Sequence, residues 1–236
     1  ATVDRWQSDE GLVVTPYGRR LYIDWSPSSN KEPHAVYNLH YVLALQQAAQ
    51  LADKSGETEQ AAQWLARAEM LQQTIREFFW RYGRWYDDLE RTTFSQLAAA
   101  LALLTDTASP AEAPALLDAI ANRSLDPDDD HIPDKMVLAS PFMHHTIFEA
   151  LRRNNREDQV VEIIRRRWGR WVRQGCPTTW ENWQVDFPDG SQCHAFSAHP
   201  RYHLNKIFSV GEETYETSWL FTQGKRRQDR RIQSVA

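Results

Sequence analysis

The stretch from Thr178 to Pro200 reads TTWENWQVDFPDGSQCHAFSAHP, and in it a carboxylate, Glu181, lies between Trp180 and Trp183. Gly190 and Ser191 follow as a turn, and then His194, thirteen positions after the acid. Burial among apolar rings disfavours the charged form of a carboxyl and raises its pKa, unless hydrogen bonds offset the effect. A group so tuned can exchange a proton with water near neutral pH, as a general base must. Indoles beside such an acid also suit the apolar face of a sugar ring. The competing reading is that the indoles are core and Glu181 starts a helix or pairs with an arginine. Pattern alone leaves both open.

Other polar clusters carry less. DPDDDH (126–131) invites calcium, but counting from Asp126 the sixth position is His131 instead of Gly and the twelfth is Val137 instead of Glu. A solvated acidic loop fits it better. His199 and His203 have the i, i+4 spacing of a metal pair, yet HPRYH lacks the glutamate of a zinc-protease helix. His144 and His145 read as structural residues on a helix. No metal and no cofactor is expected.

Helices must position these residues. Residues 34–52 are apolar around much of their circumference, as in a buried helix, and Gly56 stops it. Ala61, Trp64, Leu65, Ala68, Leu71, Ile75, Phe78 and Phe79 form an i, i+3, i+4 stripe. RYGRWYDD (81–88) reads as a turn, and 93–104 as another apolar helix. Ser109-Pro110-Ala111-Glu112 has the features of a capping box, and Ser140-Pro141 repeats the cap-then-proline signal before a helix to about Arg153. A helix over 156–174 ends at Gly175, and 194–208 is helical again. Strand candidates are confined to Leu12–Thr15 and Arg20–Ile23. The fold class is therefore all-α, built from consecutive antiparallel hairpins, with no fixed-period repeat. Residues 1–210 read as one domain. Residues 211–236, with the basic run GKRRQDRR, read as a poorly ordered tail.

The chain has 236 residues, 42% of them hydrophobic and 25% charged, the composition of an ordinary globular protein. A net charge of −5 argues against a nucleic-acid partner. No run approaches the ~18 apolar residues of a membrane span. Two cysteines, Cys176 and Cys193, are not a disulfide framework. No signal region opens at Ala1, and the compartment, cytoplasmic or secreted, stays open.

Several motifs, in order, carry a resemblance: LYIDWSP (21–27), VYNLHYVLALQQAAQLADKSGE, FFWRYGRWYDD, FSQLAAALALL (94–104), the run 139–175, GCPTTWENW and GSQCHAFSAHP. Together they resemble the inverting α-L-rhamnosidases of glycoside hydrolase family 78, over roughly Asp24 to Leu204. The resemblance implies an (α/α)6 toroid of six helical hairpins with the site at one mouth. It implies Glu181 as the general base that activates water, His194 as a sugar contact and Trp25 as a residue of the sugar pocket. By the same resemblance Asp24 hydrogen-bonds sugar hydroxyls, and Trp180 and Trp183 wall the pocket, though one of them can instead face the core. The implied substrate is a terminal α-L-rhamnoside of a rhamnose-containing glycoside, with no nucleic-acid or membrane partner.

Two features depart from the family pattern. Inversion needs a second carboxyl about 6.5–9.5 Å from the base, which the family carries in an Arg-Asp-Glu-Arg-like stretch upstream of the Asp-Trp loop. QSDEG (7–11) is not such a stretch, and Asp88 and Asp186 are only fallback acids. The helices number seven or eight, against the twelve of six hairpins. The expectation is an incomplete barrel holding the base without the acid, completed by a second subunit or an N-terminal segment. A non-catalytic carbohydrate- or protein-binding remnant of such a barrel is the alternative. The family's C-terminal β-sandwich is not recognisable after Phe208.

Overall fold

The structure, a computed structural model, describes residues 2–19, 21–128, 132–183 and 190–209. The expected tail and Asp186 lie outside the described residues. Seven α-helices follow one another among them: α1 (Ala35–Lys54), α2 (Thr58–Phe79), α3 (Gln96–Leu104), α4 (Ala113–Leu125), α5 (His144–Arg153), α6 (Glu157–Arg173) and α7 (Pro200–Phe208). The chain is all-α, as expected, and none of these helices is long and apolar enough to cross a membrane.

Helix pairing gives the architecture. Neighbours in sequence pack as hairpins, α1 with α2, α3 with α4, and α5 with α6. Across hairpins, α3 packs on α1 and α5, α4 packs on α6, and α7 lies on α6. Odd helices thus touch odd ones, which is the layering of an (α/α) toroid. The seven helices are a part of the twelve that six hairpins make.

The centre is α3. All nine of its residues, QLAAALALL, are buried. It has no charged side chain, and its alanines let helices approach from several sides at once. Its one polar side chain, Gln96, sits at its start with every partner supplied. Gln96 Nε2 donates to the Ile120 carbonyl at 2.6 Å and to Ser124 Oγ at 2.8 Å. Its Oε1 accepts the Ala139 N–H at 2.8 Å.

The caps explain most helix ends. Ser95 Oγ accepts the Ala98 N–H and starts α3. The Glu112 carboxylate accepts the Ser109 N–H at 2.8 Å, the reciprocal half of the capping box read in the sequence, although regular α4 begins only at Ala113. That carboxylate also pairs with Arg76 through two bonds of 2.7 and 3.0 Å, tying α2 to the head of α4. Ser140 Oγ accepts the Met143 N–H before α5.

Two expectations are corrected. The segment read as a plain turn is a two-stranded hairpin, β1 (Trp80–Arg81) with β2 (Arg84–Trp85), antiparallel. Tyr82 and Gly83 both have positive φ, 52° and 76°, the conformation that the twist of a two-residue hairpin loop requires. Neither strand candidate forms a strand. Val13 makes one isolated bridge to Gln7, and residues 21–23 make none, because Asn38 and Tyr37 of α1 capture the backbone N–H groups of Val13 and Tyr22.

Gln96→Leu removes three hydrogen bonds at once while keeping the side chain's bulk. Leaving even one buried group unsatisfied costs about 1–3 kcal/mol, so the variant's urea midpoint is expected to fall by an amount equivalent to about 3 kcal/mol or more. A midpoint unchanged from the parent would show that the core does not depend on this amide.

Candidate active site

Four connections lead into α1, α3, α5 and α7, and they meet at one end of the helix stack. The Ala35 N–H donates to the Asp87 carbonyl at 2.8 Å. The Ser29 N–H donates to Thr93 Oγ1 at 2.8 Å. Ser26 Oγ donates to the Leu138 carbonyl at 3.0 Å, and Ser95 bridges to Val137. The Trp183 indole N–H donates to the Ala139 carbonyl at 2.7 Å. This cross-bonded surface is where the sequence-derived residues lie.

The spacing of Glu181 and His194 is explained by a closed loop. The Glu181 N–H donates to the Ser191 carbonyl at 2.8 Å, and the Ser191 N–H donates to Glu181 Oε2 at 2.7 Å. The His194 N–H donates to the Thr179 carbonyl at 2.8 Å, while Thr179 Oγ1 donates to the His194 carbonyl at 2.8 Å. Thr178 Oγ1 adds a bond to the Gln192 carbonyl. Gly190 lies close to the Asn182 side chain, which would have to shift to admit a Cβ, since Asn182 Nδ2 would be 2.2 Å from it. The closure leaves His194 Nδ1 4.0 Å from Glu181 Oε1.

The third member is Trp25, whose side chain hydrogen-bonds to the Glu181 carboxylate through the indole N–H, its one donor. Its ring is 40% exposed. Asp24, in the left-handed region at φ 55°, turns the chain so that Trp25 reaches the acid. The Asp24 carboxylate is itself held, Oδ1 by Tyr22 Oη at 3.0 Å and Oδ2 by Ser140 Oγ. Glu181, His194 and Trp25 therefore come together, and Asp24 joins them through Trp25 and Ser140.

The indoles on either side of Glu181 behave differently from the expectation. Trp180 and Trp183 are 8% and 6% exposed and belong to the main core. Trp183 stacks on Trp171 at 5.4 Å, meets Trp168 edge-on at 4.9 Å and lies under the Arg167 guanidinium at 5.1 Å. The bulk of both rings is core packing, which is the role the sequence left open for one of them.

For Glu181 the hydrogen bonds outweigh burial. Its pKa is lowered, not raised: the Ser191 N–H is the largest cause, the Trp25 indole N–H the next, and the His194 ring adds a smaller pull, against a small opposing effect of burial. With both indoles turned inward, the carboxyl between them turns outward to donors and solvent, its side chain 19% exposed. The group is ionised through the neutral range.

The fallback acid Asp88 is similarly unsuited to donate a proton. Burial pushes its pKa up, but hydrogen bonds from Thr92, Ser29 and backbone N–H groups outweigh this and hold it below the usual carboxylate value. Its neighbour Asp87, pushed up to about 6 by burial, is wholly inaccessible and locked by Ser95 and Thr93 at 2.6 and 2.7 Å. Both serve the join between α1 and α3.

Sequence reasoning missed two residues beside the site. Phe196, 65% exposed, packs against His194 at 5.3 Å and against Phe142 at 5.3 Å, making an aromatic wall. Its position two residues after His194 was the available signal. Cys176 and Cys193 are both free thiols.

Helical hairpins layered odd on odd fit an (α/α) toroid type of domain. Residues 5–207 match the family described as bacterial alpha-L-rhamnosidase 6 hairpin glycosidase domain, and the chain belongs to that family. Among solved structures it resembles the family 78 rhamnosidase of Bacillus sp. GL1, with TM-score 0.72 and 28% identity over 87% of this chain and 22% of that one. It shares its fold with the rhamnosidase from Klebsiella oxytoca solved with rhamnose bound, with TM-score 0.70 and 23% identity over 86% of this chain and 39% of that one. The chain thus spans well under half the length of either enzyme. No curated protein matches it.

Two substitutions separate the roles of the indoles. Trp25→Phe removes a donor to the ionised carboxylate, so the pKa of Glu181 is expected to rise, read by the carboxyl carbon's NMR titration. Trp183→Phe removes the indole N–H that donates to the Ala139 carbonyl in the core and is expected to destabilise the fold by about 1–3 kcal/mol in urea unfolding. An unshifted Glu181 titration in the first, or unchanged stability in the second, would contradict the assignment concerned.

Proposed function

We propose that the chain carries the water-activating half of an α-L-rhamnosidase site and works by inversion. Glu181 is the general base. The observation that carries this reading is a carboxylate kept ionised by the Ser191 and Trp25 N–H groups, with His194 Nδ1 4.0 Å from its other oxygen, at the end where four connections converge. An ionised, hydrogen-bonded carboxylate beside an exposed indole can hold a water over one face of a sugar and accept its proton as oxygen attacks the anomeric carbon.

The other residues have roles consistent with this. The open face of Trp25 suits the apolar face of a 6-deoxy sugar. His194 is placed to hydrogen-bond a sugar hydroxyl, and Phe142 with Phe196 bounds the space beside it. Asp24 retains acceptor capacity on both oxygens for hydroxyls at the rim. Trp180 and Trp183 back the pocket from the core. The substrate is a terminal α-L-rhamnoside of a rhamnose-containing glycoside, a reading supported by family membership. The general acid is assigned to a segment or subunit outside this chain, since the sequence holds no Arg-Asp-Glu-Arg-like stretch.

α-L-Rhamnosyl fluoride isolates the base half, because fluoride leaves with little help from an acid. Hydrolysis by the 236-residue chain is expected to release the β-anomer first. Glu181→Gln is expected to lower the rate by about 10²–10⁴-fold, the scale of general base catalysis. Because the Glu181 pKa lies below its ordinary 4.5, kcat/KM for the fluoride should be level from about pH 5.5 upward on its acid limb. Equal rates for parent and variant would remove Glu181 from the reaction. Rhamnose binding without any turnover would favour the non-catalytic reading.

A further inference from the structure

A second cluster of titratable groups lies where α5 and α7 begin. His145 stands at the start of α5, His199 immediately before α7, and His203 one turn into α7. One ring nitrogen from each lies within 4.8 Å of the others. We propose that His145, His199 and His203 form a tri-imidazole site for a divalent transition-metal ion, zinc first by ligand type, that staples the head of α5 to the head of α7.

The hydrogen bonds determine which lone pairs are available. His199 Nε2 lies 2.8 Å from the Pro141 carbonyl, which can only accept, so Nε2 carries the proton. That leaves Nδ1 of His199 as a lone pair, and it is buried without a hydrogen-bond partner. His203 is wholly buried, and its Nδ1 also lacks a hydrogen-bond partner but points toward Glu149 Oε1 at 3.6 Å. With the His203 proton on Nδ1, Nε2 is a lone pair facing His145 Nδ1 at 3.0 Å. A carboxylate behind the far nitrogen of a metal-binding imidazole is the usual outer support of such a ligand.

The distances suit a tetrahedral ion. Metal–nitrogen bonds of ~2.0–2.1 Å place ligand nitrogens about 3.3 Å apart. The His145–His203 separation of 3.0 Å needs only a slight opening, while the His199 nitrogen, within 4.8 Å of the other two, has to move closer for the set to close. In the absence of an ion, one of the two facing nitrogens carries the proton of the His145–His203 bond, and metal binding, which needs a lone pair on each, replaces that bond. The ion in turn satisfies the buried lone pair of His199, which is otherwise costly.

The surroundings are compatible. His203 is buried and the other two rings are partly so. Phe148 packs against His199 and His203 at 5.5 and 5.1 Å and keeps the pocket dry. The nearby cation Arg152 is matched by Glu149 at 3.0 Å. Imidazole donors with a fourth position for water favour Zn²⁺ or Co²⁺ over Ca²⁺ or Mg²⁺. The staple would fix the short 3-10 turn Ala195–Ala198, which links His194 to His199.

The metal-depleted chain is titrated with Zn²⁺ by calorimetry and with Co²⁺ by visible absorption, with far-UV circular dichroism to confirm folding. One ion per chain, the intense cobalt band of a tetrahedral site, and a thermal midpoint raised by about 5 °C at saturation are expected. His145→Asn and His199→Ala should each weaken Zn²⁺ binding by at least about tenfold, and Glu149→Gln by about 10–100-fold through the lost outer support. Cys176→Ser with Cys193→Ser should leave it unchanged. Folded chain that takes up no ion under excess Zn²⁺ overturns the proposal, as does binding that survives both histidine substitutions.

Discussion

Polar groups shut away from water at the heads of α3 and α5 have only one another to bond, and the rest of the site is arranged by that fact. Gln96 donates to Ser124, Ser124 donates to His144 Nε2 at 3.0 Å, and His144 Nδ1 donates to the Ser140 carbonyl at 2.9 Å. The tautomer of His144 follows from the carbonyl, which cannot donate. With its pKa pushed down to about 3 by burial, the ring stays neutral and the direction of every bond is fixed. The ends of this relay hold the site loops. Ser140 holds Asp24, and Ala139, bonded to Gln96, holds the Trp183 indole. An unsatisfied member would cost more than a lost surface contact, so the loops bearing Asp24 and Trp183 are located by the core.

The placement of Trp183 then decides the character of Glu181. Arg167 donates to the Ser124 carbonyl at 2.6 Å and to the Asp126 carbonyl at 2.8 Å, and its guanidinium covers the Trp183 ring at 5.1 Å. Arg170 bonds the Trp183 carbonyl. With both flanking indoles drawn inward, residue 181 must project the other way, toward Ser191 and Trp25. A carboxylate with a lowered pKa is an intrinsically weaker base, but it is ionised at neutral pH and its lone pairs are already aimed. The protein gains orientation where a desolvated carboxyl would gain basicity.

Much of the fold could be read directly because α1, α2 and α6 carry apolar stripes broad enough to show through their polar faces, and because Ser140-Pro141 and Gly175 mark ends in one dimension. The hairpin of residues 80–85 was read as a turn, since two residues per strand leave no alternation to detect. Leu12–Thr15 looked like a strand because an apolar run does not say whether its backbone bonds go to a sheet or to the side chain of Asn38. Glu181, Trp25 and His194 were legible as a set through the order of their motifs. The direction of the Glu181 pKa was not, because it depends on which way each of four consecutive side chains points. The histidine cluster was hidden for another reason. His199 and His203 alone have a helical spacing without an outer acid, and the third imidazole and its carboxylate come from α5, with His145 and His203 58 residues apart.

The helix layering also constrains the reaction proposed for this site. Glu181, Trp25 and His194 are all supplied by segments leading into odd helices, on one continuous run of hairpins. A general acid about 6.5–9.5 Å from the base has to reach across the sugar from the opposite face. Asp24, Asp87 and Asp88 are each committed to bonds within the run: Asp24 to Ser140, Asp87 to Ser95, and Asp88 to Thr92. Moving any of them to face the substrate would unfasten the joint that positions Trp25 or starts α3. The two carboxyls of an inverting pair are therefore best held by different arcs of a ring, one fixing the water and the other the leaving oxygen.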